Sequence, residues 1–195
     1  NWVFPEAGLE VSGEYARNDY SPNLQVYFTR LDHSNGYTLG LEKIFELNSQ
    51  KLLSLNFEFS DLMQIPYANR AAQPIWYKHF DVPQGHTNDG QLLGNPIGPG
   101  SDSQIVKVSL TGQDVLWEWW MQRIFIDKDY FYTLTVDDGY SHDKNYAQGI
   151  FGVKRTSMGT KIDWYSSIEM SANFNYAYVV DNNIVNVSLH TGVSY

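Results

Sequence analysis

The chain has 195 residues, of which 43% are hydrophobic and 15% aromatic, and its formal net charge is −9. This composition is that of a folded protein, and the acidic balance argues against a nucleic-acid partner, because phosphate binding needs clustered Lys and Arg. The absence of cysteine excludes a disulfide scaffold, a thiolate metal site and a Cys nucleophile. Because the chain begins without an initiator Met, we expect either a removed signal peptide or a fragment of a longer protein.

Strict alternation of apolar and polar residues, the period of a β-strand with two unlike faces, dominates the chain. The stretch 23–31 could be a short helix or a further strand, and no long helix is predicted. No run of about 18 apolar residues exists, so no transmembrane helix is predicted either. The alternation predicts eight strands, or nine with 23–31, and the eight lie at 8–16, 36–47, 52–60, 104–111, 114–126, 146–154, 164–180 and 185–195.

Tight and long connections alternate between these strands. The long ones cover 17–33, 61–103 and 127–145, whereas 181–183 is short where the alternation requires a long connection. Long loops on one side only are typical of outer-membrane barrels, and the segments have roughly the 9–11 residues that a tilted membrane strand needs. We therefore predict an all-β fold, an antiparallel transmembrane β-barrel of the outer-membrane type with its long loops outside the cell. The alternative is a soluble antiparallel sandwich or jelly roll, in which a second sheet covers the apolar face.

Three stretches, which together span about half of the chain, carry a likeness to a known family. They are PEAGLEVSGEYARND (5–19), LDHSNGYTLGLEK (31–43) and GHTNDGQLLGNPIGPGSDSQ (85–104), of which the third is the most specific. In these stretches the chain resembles the Wzi-type capsule assembly proteins of Gram-negative outer membranes. The resemblance implies a larger barrel, in which residues 1–195 form a single barrel domain or the C-terminal part of one. An eight-stranded barrel that closes on itself is the alternative.

The same resemblance implies a non-catalytic, lectin-like protein that binds or organises capsular or extracellular polysaccharide at the cell surface. Its partners would be that polysaccharide, outer-membrane lipid and the capsule export machinery, with no nucleic acid and no cofactor. The alternatives are an outer-membrane diffusion porin and a soluble β-sandwich that binds or acts on glycans. An enzyme is the less favoured class, because the sequence has no nucleophile elbow, HExxH or phosphate loop.

The insertion 61–103 is the first candidate site, as a long extracellular or plugging loop. Glycan sites place aromatic rings against the apolar side of a sugar and use amide, carboxylate and imidazole groups for its hydroxyls. The insertion supplies both kinds of group, and we predict glycan binding by Trp76, Tyr77, His79, His86, Asn88, Asp89, Gln91, Asn95 and Asp102. In the alternative, the loop folds into the barrel lumen and its aromatic residues pack against the wall. The two interpretations are compatible.

The second long extracellular loop, 127–145, is rich in Asp and Tyr. Its DDG sequence at 137–139 lacks the alternating acidic spacing of an EF-hand, so a solvated acidic surface is favoured over a calcium site. His79 and His86 match no zinc-binding spacing. No metal site is therefore predicted.

The alternating strands also predict which side chains face inward. Three tryptophans in 116–123 predict an aromatic girdle at the lipid interface, with Glu118 and Gln122 directed inward. The other inward candidates are mostly acidic: Glu10, Glu14, Glu42, Glu58, Lys107, Asp163 and Glu169. Such a lumen would disfavour anions and acidic polymers.

Overall fold

The structure is a computed structural model, and it describes residues 1–17, 23–29, 35–48, 50–63, 76–77, 81–82, 84–129, 145–159 and 162–194. It contains the α-helix α1 (Leu24–Thr29). Among the described residues, no helix has the length and apolarity needed to cross a membrane. The strands are β1 (Trp2–Phe4), β2 (Leu9–Arg17), β3 (Asn35–Asn48), β4 (Lys51–Asp61), β5 (Thr87–Asn88), β6 (Gln91–Leu92), β7 (Asp102–Thr111), β8 (Val115–Phe125), β9 (Ala147–Ser157), β10 (Asp163–Phe174) and β11 (Ile184–Ser194).

Nine of these strands form one sheet in the order β1-β2-β3-β4-β7-β8-β9-β10-β11, and every neighbouring pair is antiparallel. β5 and β6 form a separate hairpin. The prediction of an all-β antiparallel fold is confirmed. β1 and β11 each pair on one side only, so the described sheet is open and does not close into a barrel.

The sheet has two chemically different faces, because side chains alternate along each strand and register partners on neighbouring strands share a face. We call them the apolar face and the polar face. A row across the middle of the apolar face contains Trp2, Val11, Leu41, Phe57, Val106, Met121, Phe151, Met170 and Val187. The next row, on the polar face, contains Glu10, Glu42, Asn56, Lys107, Trp120, Gly152, Glu169 and Ser188.

The apolar face lies exposed. Met121 is 64% exposed and Leu189 is 75% exposed, whereas Leu62, at 6%, is the single buried hydrophobic side chain among the described residues. The described part of the chain forms no second large sheet that could cover this face. A soluble protein buries such a surface in its core, and an apolar patch of this extent marks an interaction with protein or membrane. The sandwich alternative therefore has no counterpart in the described residues.

The last connection corrects one predicted strand boundary. The alternation predicts a strand over 164–180, but β10 ends at Phe174. Asn175 and Ala177 adopt positive φ angles of 52° and 56°, and the side-chain oxygen of Asn175 accepts a hydrogen bond from the backbone N–H of Asp181. Asn and Asp side chains favour turns through such local bonds. The connection therefore covers 175–183, and the exception in the predicted loop alternation disappears.

The structure decides the alternative at 23–31 and moves one further predicted boundary. α1 occupies 24–29, so the helix alternative for 23–31 is the correct one and the ninth strand of the sheet is β1. β7 begins at Asp102, so the predicted loop 61–103 ends with Ser101. The long connections thus cover 18–34, 62–101, 126–146 and 175–183, and they share one end of the sheet, which we call the loop end.

Trp120 lies across a glycine on the polar face. Its indole Nε1 donates to Glu169 Oε2 at 3.3 Å, and the ring passes over Gly152 of the intervening strand, where an added Cβ would overlap it. We expect Gly152→Ala to lower the free energy of unfolding by about 1–3 kcal/mol, because the ring has to leave its position. Denaturant titration followed by tryptophan fluorescence measures this effect.

The matched control is Gly149→Ala in the same strand, where an added Cβ meets no atom within 4 Å. We expect this variant to leave the free energy of unfolding nearly unchanged. Equal losses in the two variants would show that glycine is needed in β9 for its backbone and not for the contact with Trp120.

Candidate functional site

The described part of the β4–β7 connection lies over the polar face at the loop end. Its hairpin β5–β6 turns through Asp89 and Gly90, whose φ angles of 49° and 80° are both positive. Two positive angles are the requirement of the two-residue hairpin turn that Asp-Gly sequences favour. Asn88 and Gln91 are register partners beside this turn, so the hairpin tip consists of four residues in NDGQ order.

Tyr77 organises the base of the hairpin. Its carbonyl oxygen accepts from the backbone N–H of His86 at 2.9 Å, and the rings of Tyr77 and His86 stack with centroids 6.4 Å apart. Its phenol oxygen accepts from the backbone N–H of Asn95 at 3.1 Å. The two ends of the hairpin are therefore held together by one aromatic side chain.

Asn95 ties this loop to the sheet. Its side-chain amide donates to Ser60 Oγ in β4 at 3.1 Å, and Ser60 also bonds with Thr38 Oγ1 at 3.0 Å. Ser60 is 1% exposed. These side chains form a polar link between the loop, β4 and β3, and each buried group in it has a partner, as burial requires.

The Trp76 ring packs against β3 at Gly36. A Cβ added to Gly36 would lie 3.2 Å from the Trp76 ring and 2.6 Å from Leu62. The absence of a side chain at Gly36 therefore lets the ring approach the sheet. The buried indole Nε1 of Trp76 has no hydrogen-bond partner among the described residues.

A cavity of about 910 Å³ lies between this loop and the sheet. The size falls in the upper part of the range for ligand pockets. Glu14, Thr38 and Glu58 of the polar face line one wall, together with the small residues Ala16 and Gly36. The opposite wall is formed by the loop, chiefly through Trp76, Tyr77, His86, Leu93, Asn95 and Pro96. We call this cavity the loop pocket.

The charged residues of the loop pocket differ in their surroundings. Glu14 and Glu58 are exposed. Arg17 is engaged with α1, because its Nη1 donates to the carbonyl oxygen of Tyr27 at 2.6 Å and its guanidinium lies 4.5 Å from the centroid of the Tyr27 ring. The pocket thus offers carboxylate acceptors beside aromatic faces, the combination that suits a polyhydroxylated ligand.

The structure brings four of the predicted glycan-binding residues together. Trp76, Tyr77, His86 and Asn95 line the loop pocket. Three others, Asn88, Asp89 and Gln91, lie at the hairpin tip and do not line it. His79 lies outside the described residues. Glycan binding by any of these residues stays a prediction.

Asp102 occupies a different position from the predicted one. It lies in β7 and not in the loop, and alternation places it with Val106 on the apolar face. It is 4% exposed, and its carboxylate forms ion pairs with Arg123 at 2.9 Å and Lys128 at 3.4 Å. Asp102 therefore links β7 to the β8–β9 connection and does not line the loop pocket.

The predicted acidic loop 127–145 is described only at its ends. Residues 137–139 and Asp143 lie outside the described residues. Just after the C-terminal end of this loop, the Tyr146 phenol donates a hydrogen bond to Asn173 Oδ1 at 3.0 Å. Burial raises the pKa of the Tyr146 phenol, and Tyr176 acts in the same direction. Within the described ranges, no group of three or more His, Asp or Glu side chains is arranged to hold a metal ion.

Comparison with known proteins gives one solved structure of similar fold. No family model and no curated protein matches the sequence. The similar structure is Wzi from Escherichia coli, an outer-membrane protein involved in group 1 capsule assembly and a carbohydrate-binding β-barrel. The TM-score is 0.67 at 14% sequence identity, and the match covers 95% of this chain but 37% of that one. The likeness that this comparison shows is one of fold: the nine-stranded sheet is similar to part of that β-barrel.

Proposed function

We propose that this chain is part of an outer-membrane β-barrel that binds or organises capsular or extracellular polysaccharide at the cell surface without catalysing a reaction. The observation that carries the proposal is the division of the sheet into two faces. One face is apolar and exposed across nine strands, and the other is polar and carries the loop pocket.

The apolar face supports the membrane part of this proposal. In lipid, every backbone polar group needs an internal partner, so spanning sheets close into barrels. The described sheet supplies eight strands of nine or more residues, which is about the length that a tilted membrane strand requires. The remaining strands of the barrel would pair with the open edges of β1 and β11.

The loop pocket supports the binding part of the proposal. It lies at the loop end, which faces outward if the barrel has the long extracellular loops of other outer-membrane barrels. Trp76 and Tyr77 supply aromatic surface, and Glu14, Glu58 and Asn95 supply hydrogen-bonding groups. Polysaccharide would therefore be held at the outer mouth of the barrel.

The full natural protein should fractionate with outer membranes and migrate as a heat-modifiable band in gel electrophoresis. The physical reason is that a closed barrel keeps its hydrogen-bonded sheet in detergent until it is heated. Recovery as a soluble protein with no mobility shift would contradict the membrane assignment.

Planar-bilayer recordings separate the proposal from the porin alternative. The described loop packs over the polar face through Asn95 and Ser60, so we expect low single-channel conductance. Large, steady conductance would favour a diffusion porin instead.

A further inference from the structure

The charged side chains of the loop pocket indicate which class of ligand it binds. This inference rests on the proposed function. Glu14 in β2 and Glu58 in β4 approach the cavity from two strands, with the small residues of β3 between them. Neither carboxylate has a hydrogen-bond or ion-pair partner among the described residues. Both are exposed to the cavity side of the sheet and are free to accept hydrogen bonds from a ligand.

The one cation in the described lining is partly engaged with α1. Arg17 is the only Lys or Arg among the described residues that line the loop pocket. Its guanidinium donates to the backbone of α1 and stacks on Tyr27. A carboxylate on a ligand would therefore meet two unpartnered glutamates and one guanidinium that already donates to α1.

We infer that the loop pocket takes a sugar unit without a carboxylate, either a neutral sugar or an amino sugar. Hydroxyl and ammonium groups donate to Glu14 and Glu58 in charge-assisted bonds, which are stronger than bonds between neutral groups. The apolar side of the same sugar faces Trp76 and Tyr77. A uronic acid is disfavoured, because like charges repel more strongly in a half-enclosed pocket than in bulk water.

The test uses the full natural protein in detergent and a microarray of bacterial polysaccharides with neutral, amino-sugar and uronic-acid members. We expect neutral and amino-sugar polymers to bind at least about tenfold more tightly than uronic-acid polymers. Replacing both pocket carboxylates, as Glu14→Gln with Glu58→Gln, should reduce that ratio by about tenfold. Tighter binding of uronic-acid polymers by the unaltered protein would overturn the inference.

The matched control is Glu10→Gln with Glu42→Gln. These glutamates are register partners on the same polar face, and they do not line the loop pocket. The control changes the net charge by the same amount, so it should leave the ratio unchanged. An equal effect of the two double variants would show a general charge effect and would overturn the inference.

Trp76→Ala separates failure of this inference from failure of the proposed function. Binding that is lost in Trp76→Ala but shows no preference against uronic acids overturns the inference alone. Absence of binding to every polymer, or binding that Trp76→Ala leaves intact, overturns both the inference and the assignment of the glycan site.

Discussion

Met170→Arg should lower the free energy of unfolding from lipid by about 2–4 kcal/mol, the cost of a cationic side chain near the middle of a lipid-facing strand. Met170 is 47% exposed on the apolar face, between its register partners Phe151 and Val187. In water, the same change at a half-exposed position is expected to cost within about 0.5 kcal/mol. The size of the loss therefore reports whether lipid or water covers this face.

Ser171→Arg is the matched control for that experiment. Ser171 follows Met170 in β10 and faces the polar side, where its register partners are Ile150 and Asn186. In the proposed barrel, the added guanidinium would face the lumen and not lipid, so we expect a much smaller loss. Urea titration of protein reconstituted in liposomes, followed by tryptophan fluorescence, measures both variants. Equal and small losses in the two variants would contradict a lipid-facing apolar surface.

Trp76→Ala should weaken polysaccharide binding by about tenfold or more, because an aromatic anchor is worth roughly 1–2 kcal/mol or more at a binding surface. His86→Ala should act in the same direction, since it removes a lining group that stacks on Tyr77. Co-sedimentation with purified capsular polysaccharide measures the affinity. Unchanged binding in both variants would remove the loop pocket from consideration as the glycan site.

Two controls keep the effect of Trp76→Ala from being confused with unfolding of the loop. Trp76→Phe retains an aromatic ring against Gly36 and Leu62, so it should preserve most of the binding. Gln91→Ala alters the hairpin tip outside the loop pocket, and it should leave binding unchanged. A larger loss for Gln91→Ala than for Trp76→Ala would instead place the site at the hairpin tip.

The sheet was predictable because its information is local. A period of two places every second residue on one face, and this pattern located the eight long strands to within a few residues at most ends. The pattern failed at 175–180, where apolar residues continue to alternate but Asn175 and Ala177 take positive φ angles. The periodicity of hydrophobic residues predicts neither these backbone angles nor the hydrogen bond that the backbone N–H of Asp181 donates to Asn175.

The loop pocket was only partly predictable, for a different reason. Aromatic and polar composition identified Trp76, Tyr77, His86 and Asn95, and alternation identified Glu14 and Glu58 as inward. Neither signal shows that Asn95 reaches Ser60, thirty-five positions earlier in the chain. No pattern in the sequence identified Arg17 as a residue of the loop pocket. Asp102 was predicted from its residue type as a binding residue of the loop, but it lies in β7. Contacts between distant segments decide these cases, and a single sequence does not reveal them.

The open edge of β11 has a consequence for handling this segment apart from any larger protein. Along one side of Ile184–Ser194, peptide N–H and C=O groups have no neighbouring strand in the described sheet. Such an edge is a template onto which another extended chain can add, and the alternating valine and leucine side chains of β11 favour that addition. A preparation of these 195 residues alone would therefore tend to polymerise by strand addition, whereas the same segment within a closed cylinder would have no free template to offer.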